Sequence, residues 1–129
     1  ELLNFCGGLT GEPGTVLYGG PMMGNSLYTD DFPILKSTNA ILALTSAEMR
    51  ELTIEPCIHC GRCVHGCPMR LSPVEIAAAF DRGDLALACR LGVSACVECG
   101  CCSYVCPAKR PLTQRMKMAK IELRKAGKK

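Results

Sequence analysis

The chain has 129 residues, room for one small domain or two very small ones and too little for a complete catalytic core with accessories. It is 48% apolar, but that share includes eleven cysteines, and with no Trp, three Tyr and three Phe the core calls for metal or disulfides to hold it. The net charge of +3 conceals a division, because residues 108–129 hold nine Lys or Arg against Glu122 alone and the rest of the chain is net acidic.

The opening Glu1-Leu-Leu-Asn-Phe-Cys-Gly-Gly8 reads as the end of a helix, with Gly7 or Gly8 as its left-handed cap. Thr15–Tyr18 and Ala40–Leu44 are short apolar runs bounded by turn residues and predict strands, with Gly19-Gly-Pro-Met-Met-Gly24 as a loop between them. Residues 1–52 therefore read as part of a small α+β unit.

From Pro56 the texture changes to Cys, Gly and helix formers. Shifted by 39 residues, Cys57-Ile-His-Cys-Gly-Arg-Cys-Val-His-Gly-Cys-Pro68 aligns with Cys96-Val-Glu-Cys-Gly-Cys-Cys-Ser-Tyr-Val-Cys-Pro107, sharing the four cysteines, a glycine and the proline. Between these loops, Ser72-Pro-Val-Glu75 has the form of a capping box with proline at the first helical position, predicting a helix from 73 to about 82. Asp84 is placed to cap a second helix that carries Leu85, Ala88, Cys89 and Leu91 toward the core, with Gly92 as its stop. Leu112, Met116, Ala119 and Leu123 recur on one face of a third helix whose other face is basic.

Each loop has the spacing Cys-x2-Cys-x2-Cys-x3-Cys-Pro of bacterial ferredoxins that bind [4Fe–4S] clusters. Because the fourth Cys of such a run ligates the other cluster in two-cluster proteins, Cys57, Cys60, Cys63 and Cys106 are assigned to cluster one, and Cys96, Cys99, Cys102 and Cys67 to cluster two. Gly61 and Gly100 suit the wrapping, since glycine takes positive φ and lets backbone N–H groups approach sulfur. Crossed ligation ties both loops together, so the clusters should fold the domain jointly.

A zinc site is the alternative, but zinc ligands usually come as separated pairs, whereas here a triplet with a distant fourth occurs twice. The odd cysteine count, the clustering of ten between Cys57 and Cys106 and the absence of an apolar opening segment favour metal in a reducing compartment over a secreted disulfide scaffold. Eight ligands for two clusters leave no open coordination position, and one-electron transfer remains. Two oxidised clusters, each formally −2 with its thiolates, would take the chain from +3 to about −1. Lys109 and Arg110 stand next to Cys106 and Pro107, either as solvated side chains or as a local offset of that charge.

Cys6 and Cys89 read as core residues, and Cys101 as lining cluster two without ligating it. His59 and His65 read as solvated loop residues. No Ser/His/Asp set, carboxylate pair or phosphate loop appears, and the Gly19–Gly24 loop lacks the Lys and Ser/Thr of a P-loop, so no catalytic residue is assigned. The basic final helix is open to three readings: a solvated face, a docking surface for an acidic partner or anionic membrane, or nucleic-acid binding, the last weakened by the lack of interleaved aromatics. No apolar run approaches the ~20 residues of a membrane span.

Gly19–Gly24, Pro33-Ile-Leu-Lys36, Thr38–Leu44, the paired cysteine loops and Cys99–Leu112 together resemble the RnfC family, the C subunits of Rnf electron-transport complexes. The resemblance covers nearly the whole chain. It implies a peripheral subunit on the cytoplasmic side of an ion-translocating membrane complex that moves electrons between ferredoxin and NAD, with other complex subunits, ferredoxin or a flavin domain as partners. It further implies a carboxy-terminal fragment, with FMN and NADH bound by a region preceding the part matched. Residues 1–52 would be part of a soluble-ligand-binding (SLBB), β-grasp-type unit, 53–112 an α-helical ferredoxin domain and 113–129 a basic carboxy-terminal helix. Two alternatives stand beside it: the related cobalamin reductase subunit, which delivers electrons to a corrin, and a zinc-stabilised interaction module.

Overall fold

In the computed structural model, residues 1–29, 31–49 and 53–127 are described. The expected boundary near residue 52 and the last two lysines lie outside them. The chain forms two compact units, residues 1–51 and 52–129.

The first unit holds a short helix, α1 (Leu2–Phe5), and three strands, β1 (Thr15–Tyr18), β2 (Asn25–Leu27) and β3 (Ile41–Leu44). The strands form an antiparallel sheet in the order β2-β1-β3, with Val16 opposite Leu27 and Ala43. β2 is absent from the sequence reading: Asn-Ser-Leu is too short and polar to show an apolar alternation, and it becomes a strand because the Gly19–Gly24 reversal folds it onto β1. That reversal demands glycine at two places. Gly19 has φ of +103°, and a Cβ on Gly24 would stand 2.6 Å from the Gly20 carbonyl oxygen. Behind the turn, Thr38 Oγ1 donates to Tyr18 Oη at 2.7 Å, and the Tyr18 and Phe32 rings meet edge to face at 5.1 Å.

The second unit is helical: α2 (Arg62–His65), α3 (Pro73–Asp81), α4 (Leu85–Arg90), a 3₁₀ turn (Val93–Ala95), α5 (Cys101–Tyr104) and α6 (Leu112–Ala126). α3 starts at proline as expected, but the Ser72 side chain makes no capping hydrogen bond; the Ser72 carbonyl accepts from Ile76 N instead. Asp84 does cap α4, accepting from Leu87 N at 2.8 Å. The core gathers Ile76 and Ala79 of α3, Ala88 of α4, Val93, and Met116 and Ala119 of α6, all essentially inaccessible to water. Ala77, Leu112 and Cys102 form a second cluster beside it. Of the predicted apolar face of α6, Leu112, Met116 and Ala119 are buried, joined by Thr113, and Leu123 is half-buried against the core.

Cys6 and Cys89 are exposed, contrary to their expected place in the core. On α4 the buried face centres on Ala88 with Leu87 and Leu91 packed beside it, and the 100° step per residue turns Cys89 to the opposite side. Cys6 follows the four-residue α1, which buries no side chain. Among the described residues no helix is long and apolar enough to cross a membrane.

Candidate metal centre

Both cysteine loops turn on the same backbone. Positive φ occurs at His59 (55°), Gly61 (73°) and Arg70 (53°) in the first, and 39 residues later at Glu98 (57°), Gly100 (85°) and Lys109 (51°) in the second. Left-handed conformations cost non-glycine residues about 1–3 kcal/mol each and persist only where the surroundings over-determine them. Here they reverse the chain twice within each loop. α2 follows Gly61 as α5 follows Gly100, and the hydrogen bonds repeat as well: Arg70 N donates to the Cys67 carbonyl, Lys109 N to that of Cys106. The short helices meet where Gly66 faces Val105, and a Cβ on Gly66 would stand 3.3 Å from a Val105 methyl.

This packing opens two cavities. One, of about 120 Å³, is lined by Cys57, Cys60 and Cys63 of the first loop and Cys106 of the second, with His59, Val74 and Arg110 in its wall. The other, of about 20 Å³, is lined by Cys96, Cys99 and Cys102 of the second loop and Cys67 of the first, with Glu98 and Thr113 in its wall. Each cavity thus draws three thiols from one loop and the last thiol from the other. Among the described residues no three His, Cys, Asp or Glu side chains are grouped as a single metal ion would need; the thiols stand around volumes. A repeated set of four soft sulfur donors around a cavity fits a thiolate-held cluster.

Burial pushes the Cys63 thiol up, against the backbone N–H groups of Val64 and Val74, and the neighbouring Cys106 adds to the rise. Burial also raises Cys96, opposed by the Glu98 N–H and the Lys120 charge. Thiols held protonated in this way must lose their protons when metal binds, so assembly releases acid. Cys101 is absent from the wall of the second cavity and stands beside Cys99, whose thiol hydrogen bond is the main cause of its raised pKa.

Three hydrogen bonds reach sulfur in the second cavity's set: Leu71 N donates to Cys67 Sγ at 3.4 Å, Glu98 N to Cys96 Sγ at 3.3 Å, and Thr113 Oγ1 lies 3.5 Å from Cys102 Sγ. Lys120 of α6 donates to the Cys96 carbonyl at 2.9 Å and pairs with Glu98. The sequence does not mark Thr113, Ser103 or Lys120 as site residues. Thr113 carries no signal by itself, although the 39-residue shift sets it against Val74. Lys120 reads as one lysine of a basic helix face. His65 is exposed, and His59 is exposed at the rim of the first cavity.

Residues 50–107 match the family model of a 4Fe-4S dicluster domain. The chain is 54% identical over 123 residues to the C subunit of the ion-translocating oxidoreductase complex of Rhodobacter capsulatus, covering 95% of this chain and 24% of that protein. It is 46% identical over 77 residues to the C subunit of the Na(+)-translocating ferredoxin:NAD(+) oxidoreductase complex of Acetobacterium woodii, covering 60% of this chain and 17% of the relative. The corresponding ion-translocating oxidoreductase subunit of Methanosarcina acetivorans matches at 46% over 83 residues, 64% of this chain and 19% of its own. The chain spans about a quarter or less of the length of these relatives. The matched segment includes both loops and their eight lining cysteines, and the chain belongs to the family of C subunits of ion-translocating oxidoreductase complexes.

Proposed function

We propose that the chain is the electron-relay part of a membrane-associated, ion-translocating ferredoxin:NAD oxidoreductase complex. Cys57, Cys60, Cys63 and Cys106 hold one [4Fe–4S] cluster, and Cys96, Cys99, Cys102 and Cys67 hold the other. The observation that carries this reading is the lining of each cavity by three thiols of one loop and the last thiol of its partner loop. A [4Fe–4S] cluster supplies one-electron transfer. The protein's residues contribute four sulfur donors per site, backbone amides aimed at sulfur, and a shared framework that holds the two sites side by side.

In the same reading residues 1–52 are part of a soluble-ligand-binding, β-grasp-type unit, and the chain docks peripherally on the cytoplasmic side against other subunits, with ferredoxin or a flavin domain as its electron partner. FMN and NADH are assigned to another region of such a protein and not to these residues.

The test is anaerobic reconstitution of the full chain, iron and sulfide analysis, and a redox titration followed by electron paramagnetic resonance. Two interacting low-potential signals with about eight irons per chain are expected. Bound zinc with a silent spectrum overturns the relay and leaves an interaction module.

A further inference from the structure

The 39-residue shift extends past the loops into the helices that follow them. Pro73 opens α3 and Leu112 opens α6, so Cys63 corresponds to Cys102, Val64 to Ser103 and Val74 to Thr113. The two walls are therefore equivalent in backbone and different in chemistry. Val74 lines the first cavity beside Cys63, and Thr113 lines the second beside Cys102.

Thr113 is buried, with 8% of its surface exposed. Its Oγ1 lies 2.9 Å from Ser103 Oγ and 3.5 Å from Cys102 Sγ, and its backbone N donates to Ser103 Oγ at 2.8 Å. Ligation settles where the hydroxyl protons go. A ligating cysteine is a thiolate and only accepts, so Thr113 Oγ1 donates to Cys102 Sγ. Thr113 Oγ1 then accepts from Ser103 Oγ, which itself accepts from Thr113 N. The Thr113 proton points at the sulfur and the Ser103 proton at Thr113 Oγ1, a relay of two donors that ends on Cys102 Sγ. In the other half, Val64 and Val74 leave no hydroxyl at either place.

We infer that the Ser103–Thr113 hydroxyl pair is a potential-setting hydrogen bond to Cys102 that acts on cluster two alone and separates its redox behaviour from that of cluster one. The inference rests on the ligand assignment proposed above. A donor aimed at a ligating sulfur stabilises the extra negative charge of the reduced state, and hydrogen bonds to sulfur are among the factors that set cluster potentials. Ser103 and Thr113 are positioning residues: Thr113 touches the ligand, Ser103 acts through Thr113, and both leave the coordination unchanged.

The experiment uses the reconstituted full chain and compares redox titrations of the parent, Thr113→Val, and the reciprocal Val64→Ser/Val74→Thr variant. Thr113→Val keeps the side-chain shape and removes the donor. One signal should become harder to reduce by about tenfold, close to 59 mV for a one-electron couple, with the other unmoved. The reciprocal variant should make the other signal easier to reduce, which also assigns each signal to its site. Two signals present in the parent that Thr113→Val leaves in place, or moves together by the same amount, overturn the inference while the relay stands. Where Thr113→Val fails to retain iron, the reciprocal variant decides, and the absence of a rise in its signal overturns the inference. A parent chain with zinc and no signal overturns the relay and this inference together.

Discussion

Cys60 in the first loop is exposed where its counterpart Cys99 is half-buried, and Cys63 is half-buried where Cys102 is buried. The first cavity measures about 120 Å³ and the second about 20 Å³, although the two loops share cysteine spacing, positive-φ positions and hydrogen-bond pattern. The helices that follow differ as well. α3 ends at Asp81, which forms an ion pair with Arg115, whereas α6 runs on for fifteen residues and brings Lys120 back over Cys96 and Glu98. A repeated sequence can thus preserve the chain reversal that makes a site while the elements around it give each copy its own polarity and access.

The strongest way to break this comparison is to remove one ligand. Cys102→Ser should lower the iron content and disturb both resonance signals, because each cavity draws thiols from both loops and the proposed crossed ligation couples their folding. Cys101→Ser should leave iron unchanged, since its side chain stands beside Cys99 outside the cavity wall. Loss of a cluster in Cys101→Ser would show the ligand register to be wrong.

The next test concerns the unequal packing of the two halves. Met116 and its counterpart Ala77 are both fully buried, so the large side chain comes from the second half alone. Met116→Ala should destabilise the unit by about 2–5 kcal/mol in denaturant unfolding. The loop contact is sharper still: Gly66→Ala places a methyl 3.2 Å from the Arg62 carbonyl oxygen and 3.3 Å from Val105. It should cost about 1–3 kcal/mol, and a relieving Val105→Ala should recover part of that loss. Asp84→Ala removes the cap of α4, a helix that lines neither cavity. A loss of about 1 kcal/mol is expected, with both redox signals in place.

Much of the helical unit was legible in the sequence because its signals are local. Pro73 at the first turn, Asp84 as a cap, positive φ at Gly61 and Gly100, the stop at Gly92 and the Leu112-Met116-Ala119 face depend on residues within a turn or two of each other. β2 was not legible, since three mostly polar residues become a strand only by pairing with β1. Cys89 was misplaced for a related reason: a six-residue helix contains too few apolar positions to fix which face is buried, and packing of Leu87 and Leu91 settled it. The Ser72–Glu75 pattern had the right letters for a capping box, yet the Ser72 side chain makes no capping bond.

The sequence by itself determined the duplication, the donor chemistry and the places where the chain must reverse, because cysteine spacing and glycine or proline placement are constraints on adjacent residues. The tertiary structure decided what surrounds each sulfur: the convergence of Cys67 with the second loop and Cys106 with the first, the hydroxyls behind Cys102, the lysine over Cys96, and the exposure of Cys89. Those are contacts between residues distant along the chain. Their geometry follows from how helices of unequal length pack over a repeated backbone.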